Sequence, residues 1–276
     1  FPYTTLFRSN EQLREKYNDI YLKGKKEFFS KFDNGEDTSE TERIVWSATE
    51  WTGKTVLDIG GGTGEIIAGG KDRGASNVIG IDYAKSAIDI AKNRYCNKTI
   101  KFLNKSLDEI SVELLSSNKS GVDVVISLGT IEHMDNPELA LKKMLSLLND
   151  DGELIITCPY FINVRGIVWM SLALLLDVPM SLTDKHFISP FDIRKWLSGT
   201  GFNLVDIQHF DYERANGDTM LIDMKKRLKN AMNDAGLKND NVPVMIEWLS
   251  NLVREEQDVL GTMNGATALY IIKKET

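Results

Sequence analysis

Four glycines fall within five residues, at Gly60, Gly61, Gly62 and Gly64, directly after the apolar run Val56-Leu57-Asp58-Ile59. Glycine tolerates left-handed backbone and leaves room for a ligand to approach the main chain. A strand that runs into such a loop and on into a helix is the corner where open α/β sheets bind nucleotides. Gly60, Gly62 and Gly64 give the spacing GxGxG, whereas the dinucleotide fingerprint GxGxxG would need its third glycine where Glu65 stands. Glu65 suits a helix start but would repel a pyrophosphate there. No Lys-Ser/Thr follows at the spacing of a P-loop. About twenty residues on, the spacing that serves ribose recognition, Val78-Ile79-Gly80-Ile81 ends in Asp82. That carboxylate can accept both hydroxyls of a ribose. The alternatives are a tight structural turn at the glycines and an Asp82 that caps the next helix.

The elements that must position these groups can be read from periodicity. Apolar runs at 55–59, 77–82, 99–103, 122–128 and 152–158 are expected to be strands. Helices are expected between them at 64–73, 84–95, 107–117 and 136–148. Short strands alternating with helices mean βαβ units and a parallel sheet. Upstream, residues 10–31 carry Leu13, Tyr17, Ile20, Tyr21 and Phe28 at helical spacing, and Ser39 with Glu42 has capping-box spacing for a helix reaching Trp51. Downstream, 190–199 reads as a helix, 202–210 as a strand, 218–259 as two helices separated by 236–243, and 266–272 as a closing strand.

Composition narrows the function. The chain has 276 residues, 40 acidic against 33 basic, and a net charge of −7. That balance argues against a protein that grips nucleic-acid phosphates. Cys96 and Cys158 are too few for a disulfide framework or a zinc quartet. No run of 18 apolar residues predicts a membrane span, and no basic n-region with an apolar h-region opens the chain, so the expectation is cytoplasmic. Phe1-Pro2-Tyr3-Thr4-Thr5-Leu6-Phe7-Arg8-Ser9 resembles the translation of a sequencing-library adapter and is expected to be non-native.

Residues from about 53 to 160 resemble a class I S-adenosylmethionine-dependent methyltransferase. Val56–Glu65 is similar to that family's first motif, and Asp82 to its ribose-binding acid. Ser127-Leu128-Gly129-Thr130-Ile131-Glu132-His133 is similar to the motif after the fourth strand. Leu145–Pro159, with Asp150-Asp151-Gly152 before the fifth strand, is similar to the next. The resemblance implies a Rossmann-like, seven-stranded, mostly parallel sheet with an antiparallel last strand, flanked by helices. A helical insert is expected before that last strand. The domain reading is N-terminal helices at 10–52, a core at 53–213 plus 263–276, and an insert at 214–262 that caps the acceptor site or forms a dimer surface.

Carried over residue by residue, the resemblance assigns S-adenosyl-L-methionine as cofactor. Gly60, Gly62 and Gly64 would touch its methionine part, and Asp58 its amino group. Asp82 would hold the ribose, and Tyr83 would lie against the adenine. Ser106 and Leu107 stand in the loop that reaches adenine, with Ser106 where the family often has an acid. Leu128 and Gly129 would wall the sulfonium. The sulfonium methyl is already electrophilic, so the protein must align a nucleophile and sometimes remove a proton. His133 and His186 are the candidate bases, because histidine titrates near neutrality. His209 is read as structural. Ile131-Glu132-His133 and Thr183–Pro190 resemble the quinone-biosynthesis-like O-methyltransferases. Some members of that branch use a divalent metal near this position, and no metal is assigned here.

The expected function is methyl transfer to a small-molecule acceptor, O-methylation first. The alternatives are a non-catalytic S-adenosylmethionine-binding regulator or scaffold, and an aminopropyltransferase on the same fold. Gly166–Leu176 is apolar but too short to span a bilayer, and reads as a packed lid or core segment, with Trp169, Met170 and Leu174 offered to an apolar acceptor. Peripheral membrane contact and a homodimer are left open.

Overall fold

The computed structural model describes residues 10–23, 39–115, 121–178 and 184–275. The adapter-like string 1–9 and residues 24–31 of the expected first helix lie outside the described residues. The chain divides into two compact units, one containing 7–157, 190–207 and 269–276, the other 158–189 and 208–268.

The larger unit is built on a seven-stranded sheet in the order β3-β2-β1-β4-β5-β7-β6. The strands are β1 (Thr55–Ile59), β2 (Asn77–Asp82), β3 (Ile100–Asn104), β4 (Val122–Leu128), β5 (Leu148–Pro159), β6 (Phe202–Phe210) and β7 (Thr267–Lys274). β1 pairs in parallel with β2 and β4, β2 with β3, and β4 with β5. The sheet is mostly parallel, with an antiparallel end at the last strand. Val56, Leu57, Val124, Val125 and Ile126 are fully buried. Near-continuous apolar runs are what strands covered on both faces require. From β1 the chain moves outward through β2 and β3, then returns to place β4 on the other side of β1. That reversal makes the carboxyl ends of β1 and β4 the switch point where such sheets bind ligands.

Helices α1 (Asn10–Lys23), α2 (Glu40–Ser47), α3 (Glu65–Asp72), α4 (Lys85–Tyr95), α5 (Val112–Leu115), α6 (Pro137–Leu145) and α8 (Pro190–Leu197) belong to this unit, with α7 (Val164–Leu176) in the other. Ser39 caps α2 through a reciprocal capping box with Glu42. The loop after α2 brings Trp51 over α3, where the sequence Gly69-Gly70 would otherwise weaken a helix. A methyl group on Gly69 would fall 2.1 Å from the Trp46 ring, and one on Gly70 2.1 Å from the Trp51 ring. Two glycines therefore let two tryptophans sit on the helix backbone. Trp46 Nε1 donates to the Ile66 carbonyl at 3.0 Å, and Trp51 Nε1 to the Trp46 carbonyl at 2.9 Å.

Two expectations are corrected. The helix read over 107–117 is divided into a 3-10 turn at Leu107–Glu109 and the short α5, with 116 and 117 outside the described residues. Reciprocal Ser106–Glu109 bonding tightens the first turn, and Ile110 is extended and buried. β5 begins at Leu148 rather than 152, so Asp150 and Asp151 lie within the strand. Val122 N–H donates to the Leu147 carbonyl, and the β4–β5 register shifts between Val122 and Val124. Lys274 holds Asp150 at 2.6 Å.

The smaller unit is helical, with α7, α9 (Tyr212–Asn216), α10 (Asp218–Asp234), α11 (Val242–Glu255) and α12 (Gln257–Leu260). The helices of residues 214–262 thus share a unit with 158–189. Trp169 of α7 is buried with Met220, Met224, Leu228, Leu249, Val253 and Leu260 in one core. Ile167, Leu174, Leu175 and Leu176 on the other side of α7 are exposed. Asn163 and Asn216, both 1% exposed, knit the unit together. Asn163 donates to the Tyr160 and Gly265 carbonyls and accepts from Gly166 N–H, while Asn216 accepts from Val164 N–H. No described helix is long and apolar enough to cross a membrane.

The tryptophan–glycine contact predicts an inversion of helix propensity. Gly70→Ala would stabilise an exposed helix by ~1 kcal/mol. Here the methyl must displace the Trp51 ring, so urea unfolding should show a loss of roughly 1–3 kcal/mol. A more stable Gly70→Ala variant would contradict the packing.

Candidate active site

At the end of β1 the chain turns through Gly60, Gly62 and Gly64 in the left-handed region, with φ of 73°, 53° and 89°. Gly60 and Gly61 N–H both donate to the Ile81 carbonyl, at 2.9 and 3.0 Å. One turn on, Gly62 N–H donates to Asp82 Oδ2 at 3.1 Å. Asp82 Oδ1 accepts from Ala84 N–H at 2.7 Å. Asp82 therefore ties the glycine loop to the end of β2 and caps the start of α4. From β3, Asn104 Nδ2 donates to the Asp82 and Tyr83 carbonyls.

The loop after β4 lies against the same corner. A methyl group on Gly60 would fall 2.4 Å from Thr130 Oγ1. Ser127 Oγ donates to the Ile59 carbonyl at 3.2 Å, and Gly129 N–H donates to the Thr157 carbonyl at 3.0 Å. Leu128 is half-buried, and Gly129 is exposed with φ 56°. A 3-10 turn at Ile131–His133 follows. His133 is half-buried, with Nε2 4.0 Å from Glu132 Oε1.

Two tyrosines that periodicity alone reads as packing residues close the corner. Tyr17 of α1 stands edge-on to Tyr83 at 6.2 Å between ring centroids, and 5.9 Å from the His133 ring. Tyr21 Oη would lie 2.9 Å from a methyl group on Gly62. Asn18 fixes the helix in place, since its Oδ1 accepts from both Ser86 N–H and Ser86 Oγ. The i, i+4 tyrosine pair was visible in the sequence, but which element it would cover was not.

The electrostatics are acidic. Burial is the main force raising the Asp58 carboxyl to about 7, and the charges of Asp82 and Glu65 add to it. Asp58 is 2% exposed, and among the described residues its carboxylate has no hydrogen-bond partner. Burial also raises Asp82, opposed by its bonds from Ala84 and Gly62. Burial, then the Tyr17 and Asp82 charges, push the Tyr83 phenol above its ordinary range, and Tyr21 shifts the same way. Glu65 is partly neutralised by Arg94 at 3.0 Å and accepts from Thr63 Oγ1.

The remaining expected residues are placed as follows. Leu107 is buried, and the Ser106 hydroxyl donates to Glu109 Oε2 at 3.1 Å. His186 lies in the helical unit and is half-buried. His209 stacks 4.4 Å from Tyr160, and burial lowers its pKa. Trp169 is packed in the helical core. The corner fits S-adenosylmethionine on its own evidence. A buried carboxylate with no bonding partner suits an ammonium, and left-handed glycines leave main-chain room beside it.

The family described as "Methyltransferase domain" matches residues 39–207. A ubiquinone biosynthesis O-methyltransferase of Coxiella burnetii is 26% identical over 166 residues, spanning 58% of this chain and 68% of that protein. Among solved structures, the magnesium protoporphyrin IX methyltransferase of Synechocystis PCC 6803 with bound SAH aligns with TM-score 0.56. It is 18% identical, over 73% of this chain and 93% of that one. A cyclopropane synthase of Mycobacterium tuberculosis aligns with TM-score 0.55 at 16% identity, over 85% and 83%. These two likenesses are of fold.

Asp58 generates a pH prediction for the ligand-free protein. An unfolded aspartate ionises near 3.8, whereas folded Asp58 keeps its proton to about 7. Between those values the folded state binds more protons, so stability falls as pH rises through the window. Asp58→Asn should flatten that slope in urea titrations from pH 4 to 8. An unchanged slope would contradict the buried, unbonded carboxylate.

Proposed function

The chain belongs to the methyltransferase-domain family and is an S-adenosylmethionine-dependent methyltransferase, and from that premise we propose that it methylates a hydroxyl of a small molecule. The observation that carries the reading is the Tyr17 ring, which contacts Tyr83 on one side and His133 on the other. A titratable imidazole thereby shares one aromatic cluster with the residue beside the ribose carboxylate. The name of the Coxiella relative supports oxygen as the methylated atom.

When bound, the cofactor supplies an electrophilic methyl group. The chain's own residues do the rest. Asp82 is the group for the ribose hydroxyls, which meet the lone pairs that Gly62 and Ala84 N–H leave free. Asp58 pairs with the amino group. Gly60, Gly62 and Gly64 admit the methionine part, and Leu128 and Gly129 line the sulfonium. Tyr83, with Ser106 and Leu107, frames the adenine. His133 takes the proton from the acceptor hydroxyl, which raises its nucleophilicity as attack begins. A phenol or quinol suits an imidazole base, because an aryl hydroxyl ionises near 10. Tyr17 and Tyr21 exclude water from the glycine corner.

The test is transfer of labelled methyl from S-adenosylmethionine to phenols, catechols and quinols, with the product's methylated atom identified. His133→Ala should lower kcat by roughly 10²–10⁴-fold, the usual contribution of a general base, with cofactor affinity little changed. Asp82→Ala should weaken cofactor binding by ~10–100-fold, the loss of hydrogen bonds to a charged group. Undiminished turnover in His133→Ala, or products methylated only on nitrogen or carbon, would reject the reading.

A further inference from the structure

Within the helical unit, a cavity of about 150 Å³ is lined by Arg165, Arg214 and Arg227, with Phe161, Thr267 and Asp184 among its other walls. Three guanidiniums around so small a space are costly unless anions balance them. Asp223 is shared between two of them. Its Oδ2 lies 3.5 Å from Arg165 Nε and 3.3 Å from Arg227 Nη1, long distances for charge-assisted bonds. Among the described residues, Asp184 lines the cavity and Asp223 pairs with two of its arginines, so three positive charges face these two negative ones. Arg165 Nε is buried and lacks a hydrogen bond of good geometry. Burial lowers the Arg165 pKa, and the charges of Arg227 and Arg214 lower it further against Asp223. Arg227 is held in place by lying 5.1 Å above the Trp169 ring. Phe161, packed edge-on against Phe187 at 4.9 Å, supplies a rigid apolar wall.

We propose that this cavity binds a small organic oxyanion, a carboxylate or phosphate group whose body rests against Phe161. The anion would add negative charge beside the three guanidiniums and take the Arg165 Nε proton that Asp223 bonds poorly. A planar fork of donors beside a buried Nε matches the two oxygens of such a group. The site does not depend on the methyl-transfer chemistry.

Calorimetric titration with benzoate and with inorganic phosphate, at constant ionic strength set by chloride, tests the site on the intact chain. Saturable binding of at least one probe is expected, weakened by ~10-fold or more in Arg227→Gln, the loss of one charged hydrogen-bonding group. Arg165→Gln could leave Asp223 underbonded and unfold the unit. Arg214→Gln alters an exposed side chain, should keep the wild-type urea midpoint, and is expected to weaken the same probe several-fold. Benzoate binding without phosphate binding assigns a carboxylate ligand, and the reverse assigns a phosphate. No saturable binding of either probe, or equal affinity in wild type and folded Arg214→Gln and Arg227→Gln proteins, overturns the proposal.

Discussion

The site rests on one carboxylate that bonds to two pieces of main chain. Asp82 accepts from Gly62 N–H in the loop after β1 and from Ala84 N–H at the start of α4. The neighbouring Ile81 carbonyl takes Gly60 and Gly61 N–H. These bonds fix a loop whose left-handed glycines would otherwise be mobile, since glycine loses more freedom on ordering than other residues. A buried carboxylate with only two main-chain donors retains lone pairs for further donors. The same group can therefore hold the loop without a ligand and meet hydroxyls when one arrives.

That arrangement concentrates acid. Asp58, Asp82 and Glu65 share the corner, and Arg94 is the cation paired with Glu65. Asp58 responds by holding its proton to about 7. A buried carboxyl without a bonding partner is a stability cost that binding of a cation can reverse. The family's cofactor carries both an ammonium and a sulfonium, and this corner gathers three described carboxylates. On the proposed reading Asp58 pairs with that ammonium, which would link recognition and stability through one residue.

Much of this was legible in the sequence because the signals are local. The GxGxG loop, the apolar runs of β1, β2 and β4, and the acid ending β2 each declare themselves within ten residues. The boundary of β5 did not, because Leu148 joins the sheet through the bulge opposite Val122, a register decided by the partner strand. The helix expected at 107–117 broke because Ser106 and Glu109 bond to each other. Tyr17 and Tyr21 were visible as a helical pair, but their contact with Gly62, Tyr83 and His133 depends on where α1 docks. Gly69-Gly70 likewise makes sense only once Trp46 and Trp51 are seen on the helix. The three arginines of the helical unit are dispersed over more than sixty positions, so no sequence window joins them.

The central claim is that the cofactor's ammonium relieves buried Asp58, and proton counting tests it most directly. S-adenosylmethionine binding should be measured calorimetrically at pH 6 in two buffers of different ionisation enthalpy. Asp58 is then largely protonated before binding, and pairing should release a large fraction of one proton. The release should shrink at pH 8 and vanish in Asp58→Asn. Binding with no proton release at pH 6, or with the same release in Asp58→Asn, would contradict the account.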